Sequence, residues 1–390
     1  MFTIQTMNKI SSTGIDLFPR DKYLIADDTK DPDAILVRSR ALHELEFPTS
    51  LKAIARAGAG VNNIPIDRCT QGGIVVFNTP GANANSVKEL VLTGLLISSR
   101  RVFAGAEWVK SLKGNGEKIG ALVEKGKSEF VGPEIKGKRL GVIGLGAIGV
   151  QVANDATALG MEVTGYDPFI SIESAWGLSR AVKRASDLEE LFASVDYLTV
   201  HVPLDDNTRG MLNWRRMSKM KRGIRILNFA RAELVDAKDM LRGIEEGIVS
   251  CFVTDFPDEI LFASDRVIAL PHLGASTPEA EDNCAVMAVQ QLKAYLETGN
   301  IRNSVNFPDC EMRMSANTRA LIANRNIPNM VGQITTLLAS QKINIAEMIN
   351  RHKGEYAYNI IDLEGAVPAD FARRVMEIEG VITARVIKLT

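Results

Sequence analysis

The chain has 390 residues with 46 basic and 47 acidic side chains, so it is nearly neutral and long enough for two or three domains. It contains no basic tract that would bind nucleic acid or a membrane surface, and no apolar segment that would form a membrane span or a signal core. The four cysteines, Cys69, Cys251, Cys284 and Cys310, show no paired spacing, which indicates reduced thiols, no metal site and a cytoplasmic protein.

The first 85 or so residues alternate short apolar runs with polar or helical pieces, which predicts a small α/β domain. The predicted buried parallel strands lie at 23–26, 34–37, 51–55 and 74–77. A long helical segment follows from about Asn85 to Leu112, with Asn85, Ser86 and Glu89 as its N-terminal signals.

Strands and helices then alternate from Lys138 to about Arg266, which predicts a doubly wound parallel sheet. The predicted strands lie at 138–143, 161–166, 195–200, 224–228 and 248–253. The predicted helices lie at 151–159, 186–192, 211–220 and 237–246.

The first of these strands ends in a Gly-x-Gly-x-x-Gly pattern, Gly144 to Gly149, where Gly146 is the middle glycine. In such a loop the glycines allow a tight turn, close approach of a pyrophosphate, and packing of the next helix on the strand. Asp167 lies at the end of the second strand, 18 residues after Gly149. A carboxylate there accepts hydrogen bonds from a ribose hydroxyl and repels a 2′-phosphate, so the pattern predicts NAD rather than NADP.

Further polar residues follow the ends of the predicted strands. His201, Asn228 and Arg231 lie there with Asp167, so we expect them to converge on one crevice. His272 occupies a Pro-His-Leu-Gly loop just before a helix. Hydride transfer from an alcohol to NAD also needs a base, a carboxylate that orients the base, and a cation for the substrate carboxylate. His272, Glu259 and Arg231 supply those three residue types.

The C-terminal third contains a helix that starts at Thr277-Pro278 and runs to about Thr298, then an irregular segment at 306–317 that reads as a linker. Strands are predicted at 320–323, 344–349, 356–362 and 381–389, with helices at 328–340 and 368–376. The predicted fold is therefore α/β, with two Rossmann-like doubly wound parallel-sheet domains and a C-terminal α+β domain of βαββαβ order.

The chain resembles the D-isomer-specific 2-hydroxyacid dehydrogenase family, most closely its branch that acts on 3-phosphoglycerate. The stretches that carry the resemblance are 37–40 (Val-Arg-Ser-Arg), 57–64, the Gly144 loop, 228–231 and 271–277. The resemblance implies that Arg231 anchors the substrate carboxylate and carbonyl, that Glu259 partners the base, and that His272 is the general acid/base. Two features depart from the family pattern: Ala232 replaces a glycine, and the connection after Glu259 is short, so Asp255 and Asp258 remain alternatives.

The same resemblance implies the ligand contacts. The cofactor-binding residues are Gly144, Gly146, Ala147, Ile148, Gly149, Asp167, His201, Val202, Pro203, Thr208, Asn228 and Ala230. The substrate-binding residues are Arg38, Ser39, Arg40, Gly58, Ala59, Gly60, Val61 and Asn83. The two guanidiniums and the hydroxyl of 38–40 suit a phosphate, although a solvated basic turn is the alternative. For His201 the alternative is a structural histidine, and Asn228 suits either the cofactor or the Arg231 loop.

The last 73 residues resemble an ACT domain, a regulatory module for small ligands that usually pairs across a subunit interface. Asn324, Asn326 and Asn344 match the positions that hold an amino-acid effector in serine-regulated relatives. Asn324 replaces a histidine there, and Asn329 stands where glycine usually follows proline. We therefore expect weak or absent inhibition by serine, with an assembly module that binds no effector as the alternative.

These features predict four segments: 1–85 with 275–305 for substrate binding, 86–274 for NAD, the linker 306–317, and 318–390 as the ACT-like domain. The predicted function is NAD-dependent oxidation of 3-phospho-D-glycerate to 3-phosphohydroxypyruvate, the first step of L-serine biosynthesis, in a homodimer or homotetramer. The alternatives are a dehydrogenase of another small D-2-hydroxyacid and a non-enzymatic NAD-sensing protein.

Overall fold

The structure is a computed structural model that describes residues 1–388, and the chain divides into two compact units. Unit 1 comprises Met1–Asn83 and the described chain from Pro278 onward, and unit 2 is Ala84–Thr277. The predicted last strand ends at Leu389, which lies outside the described residues.

Unit 1 begins with a five-stranded parallel sheet. Its strands are β1 (Phe2–Met7), β2 (Tyr23–Ala26), β3 (Ala34–Val37), β4 (Ala53–Arg56) and β5 (Val75–Phe77), and its short helices are α1 (Ser12–Ile15) and α2 (Ile66–Gln71). The strand order is β2-β1-β3-β4-β5, so the parallel α/β prediction is confirmed. β1 was not predicted, because its polar residues Thr3, Gln5 and Thr6 interrupt the apolar run.

Two helices, rather than the predicted single long one, open unit 2. These are α3 (Ala84–Ser99) and α4 (Val102–Ser111), and they are followed by α5 (Ile119–Gly126). The break follows Ser98 and Ser99, whose hydroxyls both donate to the carbonyl oxygen of Leu95, at 2.9 and 2.7 Å. Side-chain bonds of this kind to the preceding turn bend helices.

A seven-stranded parallel sheet forms the centre of unit 2. Its strands are β6 (Arg139–Ile143), β7 (Glu162–Tyr166), β8 (Lys183–Arg184), β9 (Tyr197–Val200), β10 (Ile224–Asn228), β11 (Val249–Thr254) and β12 (Val267–Ala269). The helices around it are α6 (Ala147–Ala158), α7 (Ile172–Gly177), α8 (Leu188–Ser194), α9 (Trp214–Met217) and α10 (Ala237–Glu245). The order β12-β11-β10-β9-β6-β7-β8 confirms the doubly wound sheet and places its switch point between β6 and β9.

The remainder of unit 1 starts with the long helix α11 (Pro278–Thr298), at the predicted position. A four-stranded antiparallel sheet follows, with the order β14-β15-β13-β16 once its strands are numbered along the chain. These strands are β13 (Thr318–Arg325), β14 (Asn344–Lys353), β15 (Tyr356–Glu364) and β16 (Val381–Lys388), with helices α12 (Met330–Ser340) and α13 (Phe371–Met376). The predicted βαββαβ order is therefore observed.

The two faces of the four-stranded sheet pack against different partners. One face buries Ile322 and Ile361 with Leu338 of α12 and Phe371 of α13. The opposite face places Leu321, Ala323, Tyr358 and Ile360 in the same core as Tyr295 and Leu296 of α11. The C-terminal sheet is thus packed on the rest of unit 1 through a shared core.

Within residues 1–388, none of the helices combines the length and the apolar character that a bilayer-spanning helix needs.

Candidate active site

The glycine loop after β6 lies at the switch point of the unit 2 sheet. Gly144 has a positive φ of 88°, and a Cβ there would lie 2.6 Å from the carbonyl oxygen of His201. A Cβ on Gly149 would overlap the Gly144 carbonyl oxygen, so these two positions need glycine for packing. Gly146 differs, because a Cβ there would meet no heavy atom within 4 Å. The space over Gly146 therefore fits a ligand that approaches the backbone closely.

The helix behind this loop presents free amide groups. Gly146 is the N-cap of α6 and has no side-chain cap, so the first amides of the helix keep their capacity to bind an anion. Ala147 and Ile148, which the sequence analysis assigned to the cofactor, form the first turn of this helix. The arrangement suits a pyrophosphate.

Asp167 follows β7, and the neighbouring backbone fixes its carboxylate. Oδ2 accepts from the Leu145 amide at 2.8 Å, and Oδ1 accepts from the Phe169 amide at 2.8 Å. Each oxygen keeps a lone pair, so the side chain can still accept from a ribose hydroxyl. The ribose-binding role of Asp167 stays a prediction.

His201 lies directly after β9 beside the glycine loop. Its amide donates to the Ile143 carbonyl at 2.7 Å, and its Nε2 lies 3.0 Å from the Thr199 hydroxyl. Nδ1 is buried and has no hydrogen-bond partner among the described residues. Burial lowers the pKa of His201 to about 4, so the ring is neutral at physiological pH. Because Nδ1 is enclosed by protein, the buried neutral ring also fits the structural role, and the cofactor contact of His201 stays a prediction.

Two other predicted cofactor residues have structural partners. The Thr208 hydroxyl donates to the Pro203 carbonyl at 2.7 Å and accepts from the Asp205 amide at 2.8 Å, which ties the 203–208 loop together. Asn228 donates to the Arg231 carbonyl at 2.8 Å and accepts from the Ala230 amide at 3.1 Å. Of the two roles considered for Asn228, the contacts show the one that fixes the Arg231 loop.

Arg231 and His272 are exposed side chains on two loops of unit 2. The Arg231 guanidinium donates to the Ala230 carbonyl at 2.6 Å, and Ala232 begins a short 3-10 turn without a positive φ. Alanine therefore fits where the family usually has glycine. His272 has a φ of 50°, and its ring stands edge-on to Phe256 with centroids 5.0 Å apart. A left-handed φ on a residue other than glycine is strained, and such strain clusters at functional sites.

The carboxylates of the 255–259 loop occupy different environments. Glu259 is exposed and has no ion pair or hydrogen bond from its side chain within the described part of the chain. Asp258 is also exposed and accepts from the Ile260 amide at 2.8 Å. Asp255 is only 1% exposed, and its Oδ1 lacks a hydrogen-bond partner among the described residues. Burial raises the pKa of Asp255, while the charges of His272 and Arg231 and the Gly274 backbone act in the opposite direction.

The predicted phosphate loop lies at the end of β3 in unit 1. The Ser39 and Arg40 amides donate to Asn8 Oδ1 at 3.1 and 2.9 Å, and both side chains are exposed. Arg38 is half-exposed and forms an ion pair with Glu281 of α11, with Nη1 and Oε1 2.7 Å apart. The cation that was expected to hold substrate therefore already has an anion beside it.

Arg56 is a functional candidate that was not predicted from the sequence. It ends β4, next to β3, and its Nε donates to the Arg38 carbonyl at 3.0 Å. Its guanidinium also lies on Gly58, where a Cβ would be 2.5 Å from Nη1. A charged residue at the carboxyl end of a buried parallel strand was the available signal. In the same turn, Ala59 accepts from the Asn78 side chain at 2.6 Å.

The remaining predicted substrate residues lie on two turns of unit 1. Gly60 and Val61 continue the turn after Gly58, and Asn83 is the last residue of a turn at the boundary of the unit. All of them are partly exposed.

The predicted effector residues are spread over the C-terminal sheet. Asn324 is buried; it donates to the Arg325 carbonyl at 2.6 Å and accepts from Asn359 at 2.7 Å. Asn326 donates to the Gly354 carbonyl at 3.3 Å, and Asn344 donates to Glu364 at 2.6 Å. Asn324 pairs with Ala357 near one end of β15, and Asn344 pairs with Glu364 at the other end. Within one chain the three amides therefore do not meet.

Comparison with known proteins places this geometry in context. Residues 92–274 match the model of the D-isomer specific 2-hydroxyacid dehydrogenase NAD-binding domain. The chain is 34% identical to a D-3-phosphoglycerate dehydrogenase of Methanocaldococcus jannaschii, over 88% of this chain and 64% of that protein. It is 26% identical to the NAD⁺-bound 3-phosphoglycerate dehydrogenase of Entamoeba histolytica, with a TM-score of 0.60 over 78% of this chain and 98% of that one.

Coverage differs among the relatives. The chain spans only about half to two thirds of the length of several curated relatives that it matches, from 52% to 64%. The D-3-phosphoglycerate dehydrogenase of Haemophilus influenzae is different, because it is 30% identical over 98% of this chain and 94% of that protein. With nearly full mutual coverage and a matching NAD-binding domain, the chain belongs to the D-isomer-specific 2-hydroxyacid dehydrogenase family.

Proposed function

We propose that the chain is an NAD-dependent D-3-phosphoglycerate dehydrogenase that oxidises 3-phospho-D-glycerate to 3-phosphohydroxypyruvate, the first step of L-serine biosynthesis. The observation that carries the substrate class is the Arg38 loop, in which Arg38 and Arg56 meet through the Arg38 carbonyl and Arg40 is exposed beside them. Guanidiniums bind phosphate with charge-assisted, often bidentate hydrogen bonds. An unphosphorylated hydroxyacid carries no group with the charge to match these cations.

Each remaining role follows from the chemistry of hydroxyacid oxidation. NAD, when bound, accepts the hydride from the substrate carbon. His272 removes the proton from the substrate hydroxyl, and Arg231 holds the substrate carboxylate. Arg38, Ser39 and Arg40 hold the phosphate, and the turn from Gly58 to Val61 with Asn83 borders the substrate.

For the carboxylate that supports the base we propose Asp255 in preference to Glu259. Asp255 is buried, and its carboxylate interacts electrostatically with His272 and Arg231, whereas Glu259 is exposed on the loop. A buried carboxylate stabilises a nearby imidazolium more strongly than an exposed one, because solvent screens it less. Glu259, the residue that matches the family pattern, is the alternative.

A second candidate function is oxidation of another small D-2-hydroxyacid. The observation that favours it is the ion pair of Arg38 with Glu281, because a neutralised arginine attracts phosphate less strongly. Under this alternative the Arg38 loop is a basic turn with a structural role.

Steady-state kinetics with NAD and either 3-phosphoglycerate or D-lactate separates the two functions. We expect 3-phosphoglycerate to be the better substrate. The double variant R38A/R40A should raise its KM by at least tenfold, because two charge-assisted contacts are lost, each contributing about 1.5–3 kcal/mol. The KM for D-lactate should change much less.

Arg20→Ala is the matched control, since Arg20 is an exposed arginine elsewhere in unit 1. Equal changes in KM for both substrates in the double variant, or efficient turnover of lactate alone, would reject the phosphorylated substrate.

We also propose that the ACT-like domain serves assembly into a homodimer or homotetramer and responds weakly, if at all, to serine. The support is Asn324, whose amide is occupied by hydrogen bonds inside the sheet. A neutral amide is also a weaker partner for a carboxylate than a cation would be. Titration of serine at fixed 3-phosphoglycerate tests this, and strong inhibition at micromolar serine would contradict it.

A further inference from the structure

The ion pair between Arg38 and Glu281 places an acidic residue on the cation assigned to the substrate phosphate. Nη1 of Arg38 and Oε1 of Glu281 are 2.7 Å apart, and the two side chains are 37% and 44% exposed. The pair is therefore accessible to solvent, and a dissolved anion can compete for the guanidinium. Arg38 forms one contact in this pair, so its other N–H groups remain available to a second anion.

Glu281 is held in place by the helix that carries it. It lies in the first turn of α11, and the next residue, Asp282, accepts from the Ser11 hydroxyl at 2.5 Å. α1 packs against the same part of α11, because a Cβ on Gly14 would lie 2.6 Å from the Ala285 backbone. The backbone that carries Glu281 is thus fixed, and only its side chain can move.

The backbone of the Arg38 loop is fixed as well. Asn8 accepts from two of its amides, and the Arg38 carbonyl accepts from Arg56 Nε. The Asn63 side chain also donates to the Arg40 carbonyl at 2.8 Å. With both backbones held, exchange of the Arg38 partner takes place at the level of the side chains.

The pKa of the buried Cys284 thiol is affected by the same charged residues. It lies on α11 three residues after Glu281 and is buried. Burial raises the pKa of its thiol, Arg38 and Arg56 lower it, and Glu281 raises it. The charges of Arg38, Arg56 and Glu281 therefore all act on this one thiol.

We infer that Glu281 sets the affinity for the substrate phosphate: it is an internal anion that occupies Arg38 until the phosphate takes its place. This inference deepens the proposed function and rests on it. Glu281 acts through Arg38: its negative charge offsets part of the attraction for the phosphate, which must displace the carboxylate in order to bind. Glu281 thereby weakens the binding of phosphorylated substrate, and it keeps Arg38 paired when no substrate is bound.

The test is Glu281→Gln, which removes the charge and keeps the size of the side chain. We expect the KM for 3-phosphoglycerate to fall by about threefold to tenfold, the size expected when one charge is removed beside a half-exposed site. The KM for D-glycerate, which lacks the phosphate, should change by less than about twofold by the same reasoning.

Glu279→Gln is the matched control, because Glu279 lies in the same turn of α11 and forms no ion pair with any described residue. It should leave both KM values as in the wild type. Thermal unfolding of both variants checks that the helix start is intact.

Three results would overturn the inference: a higher KM for 3-phosphoglycerate in Glu281→Gln, an unchanged KM, or an equal fall for both substrates. The first would mean that Glu281 orients Arg38 for binding. If the wild type does not oxidise 3-phosphoglycerate, the proposed function fails, and calorimetric titration of the full chain with inorganic phosphate then judges the inference alone. Tighter phosphate binding in Glu281→Gln than in the wild type supports it, and equal binding overturns it.

Discussion

Two of the arginine–carboxylate pairs in unit 1 differ in almost every physical respect. Arg319 and Asp362 in the C-terminal sheet are both 0% exposed, and Arg38 and Glu281 are 37% and 44% exposed. Arg319 Nε and Nη2 donate to the two oxygens of Asp362 at 2.6 and 3.0 Å. Arg38 has one short contact to Glu281.

The surroundings of the buried pair complete its hydrogen bonding. Arg319 Nη1 also donates to the Thr298 carbonyl at the end of α11, at 2.9 Å, and to the Met312 carbonyl at 3.0 Å. The Ser315 amide and hydroxyl donate to Asp362 at 2.7 and 2.9 Å. Four of the five N–H groups of Arg319 and both oxygens of Asp362 are used, so the pair joins the C-terminal sheet to α11 and is closed to solvent.

The comparison shows how the same two residue types serve opposite purposes. A buried pair is stable only when its polar atoms are satisfied inside the protein, and breaking it leaves an uncompensated charge. A half-exposed pair contributes little to stability, because water solvates either charge alone, and it can exchange partners. Burial therefore separates a structural pair from one that can take part in binding.

The largest effect should come from breaking the buried pair. Arg319→Ala leaves Asp362 buried without its cation, and we expect a loss of about 3–5 kcal/mol in the free energy of unfolding, measured in urea. The double variant R319M/D362L, which removes both charges, should recover most of that loss. A single variant within about 1 kcal/mol of the wild type would contradict the structural role assigned to this pair.

The loss of stability in Arg319→Ala should depend on pH. Burial alone would raise the pKa of Asp362, but the hydrogen bonds from Arg319 and Ser315 outweigh it and lower the pKa. The pair therefore stabilises the fold above the ordinary Asp pKa of about 4, and this contribution is lost as the pH falls through the lower folded-state value. The stability difference between wild type and Arg319→Ala should shrink at acidic pH.

An intermediate effect is expected at Asp255, a buried carboxylate that forms no ion pair with an arginine among residues 1–388. In Asp255→Asn the imidazolium form of His272 is less stabilised, so kcat should fall by about tenfold to a hundredfold. For the same reason, the acidic limb of the plot of kcat against pH should lie at lower pH than in the wild type. Glu259→Gln is the comparison variant, and a larger loss of rate there would assign the role to Glu259.

The stability of Asp255→Asn should change in the opposite direction to its activity. Because burial raises the pKa of Asp255, the folded protein carries the carboxyl neutral at low pH and bears the cost of its charge only above the raised value. We expect a gain of about 1 kcal/mol at pH 8 that disappears below pH 4, measured by urea unfolding at both values. A loss of stability at pH 8 would mean that the charge has a favourable partner.

The smallest effect should be the coupling between Arg38 and Glu281. A double-mutant cycle on the free energy of unfolding with Arg38→Ala and Glu281→Gln should give a coupling of less than about 1 kcal/mol. A coupling as large as that of Arg319 with Asp362 would make the exposed pair structural and remove the distinction between the two.

Much of this fold could be predicted from local patterns. The predicted positions of β3 and β10 match the observed ones, because buried parallel strands are continuous apolar runs. The predicted extent of α11 also matches within one residue, because its start and end carry helix-capping signals. The break between α3 and α4 could not be predicted, because it depends on the carbonyl to which the Ser98 and Ser99 hydroxyls donate. Nor could β1, whose burial comes from its neighbours β2 and β3.

The sequence by itself determined the order of most strands and helices, the glycine loop followed by Asp167, and the residue types available for hydride-transfer chemistry, since these depend on spacing along the chain. Only the tertiary structure decided which charges are neutralised and which are exposed. In the folded chain Asp255 is buried and Glu259 is exposed to solvent. Glu281 forms an ion pair with Arg38, and the Asn324 side chain is hydrogen-bonded inside the sheet. The physical reason is that burial and charge pairing depend on distances between residues far apart in the chain, here Arg38 and a helix that begins at Pro278, and no local pattern encodes those distances.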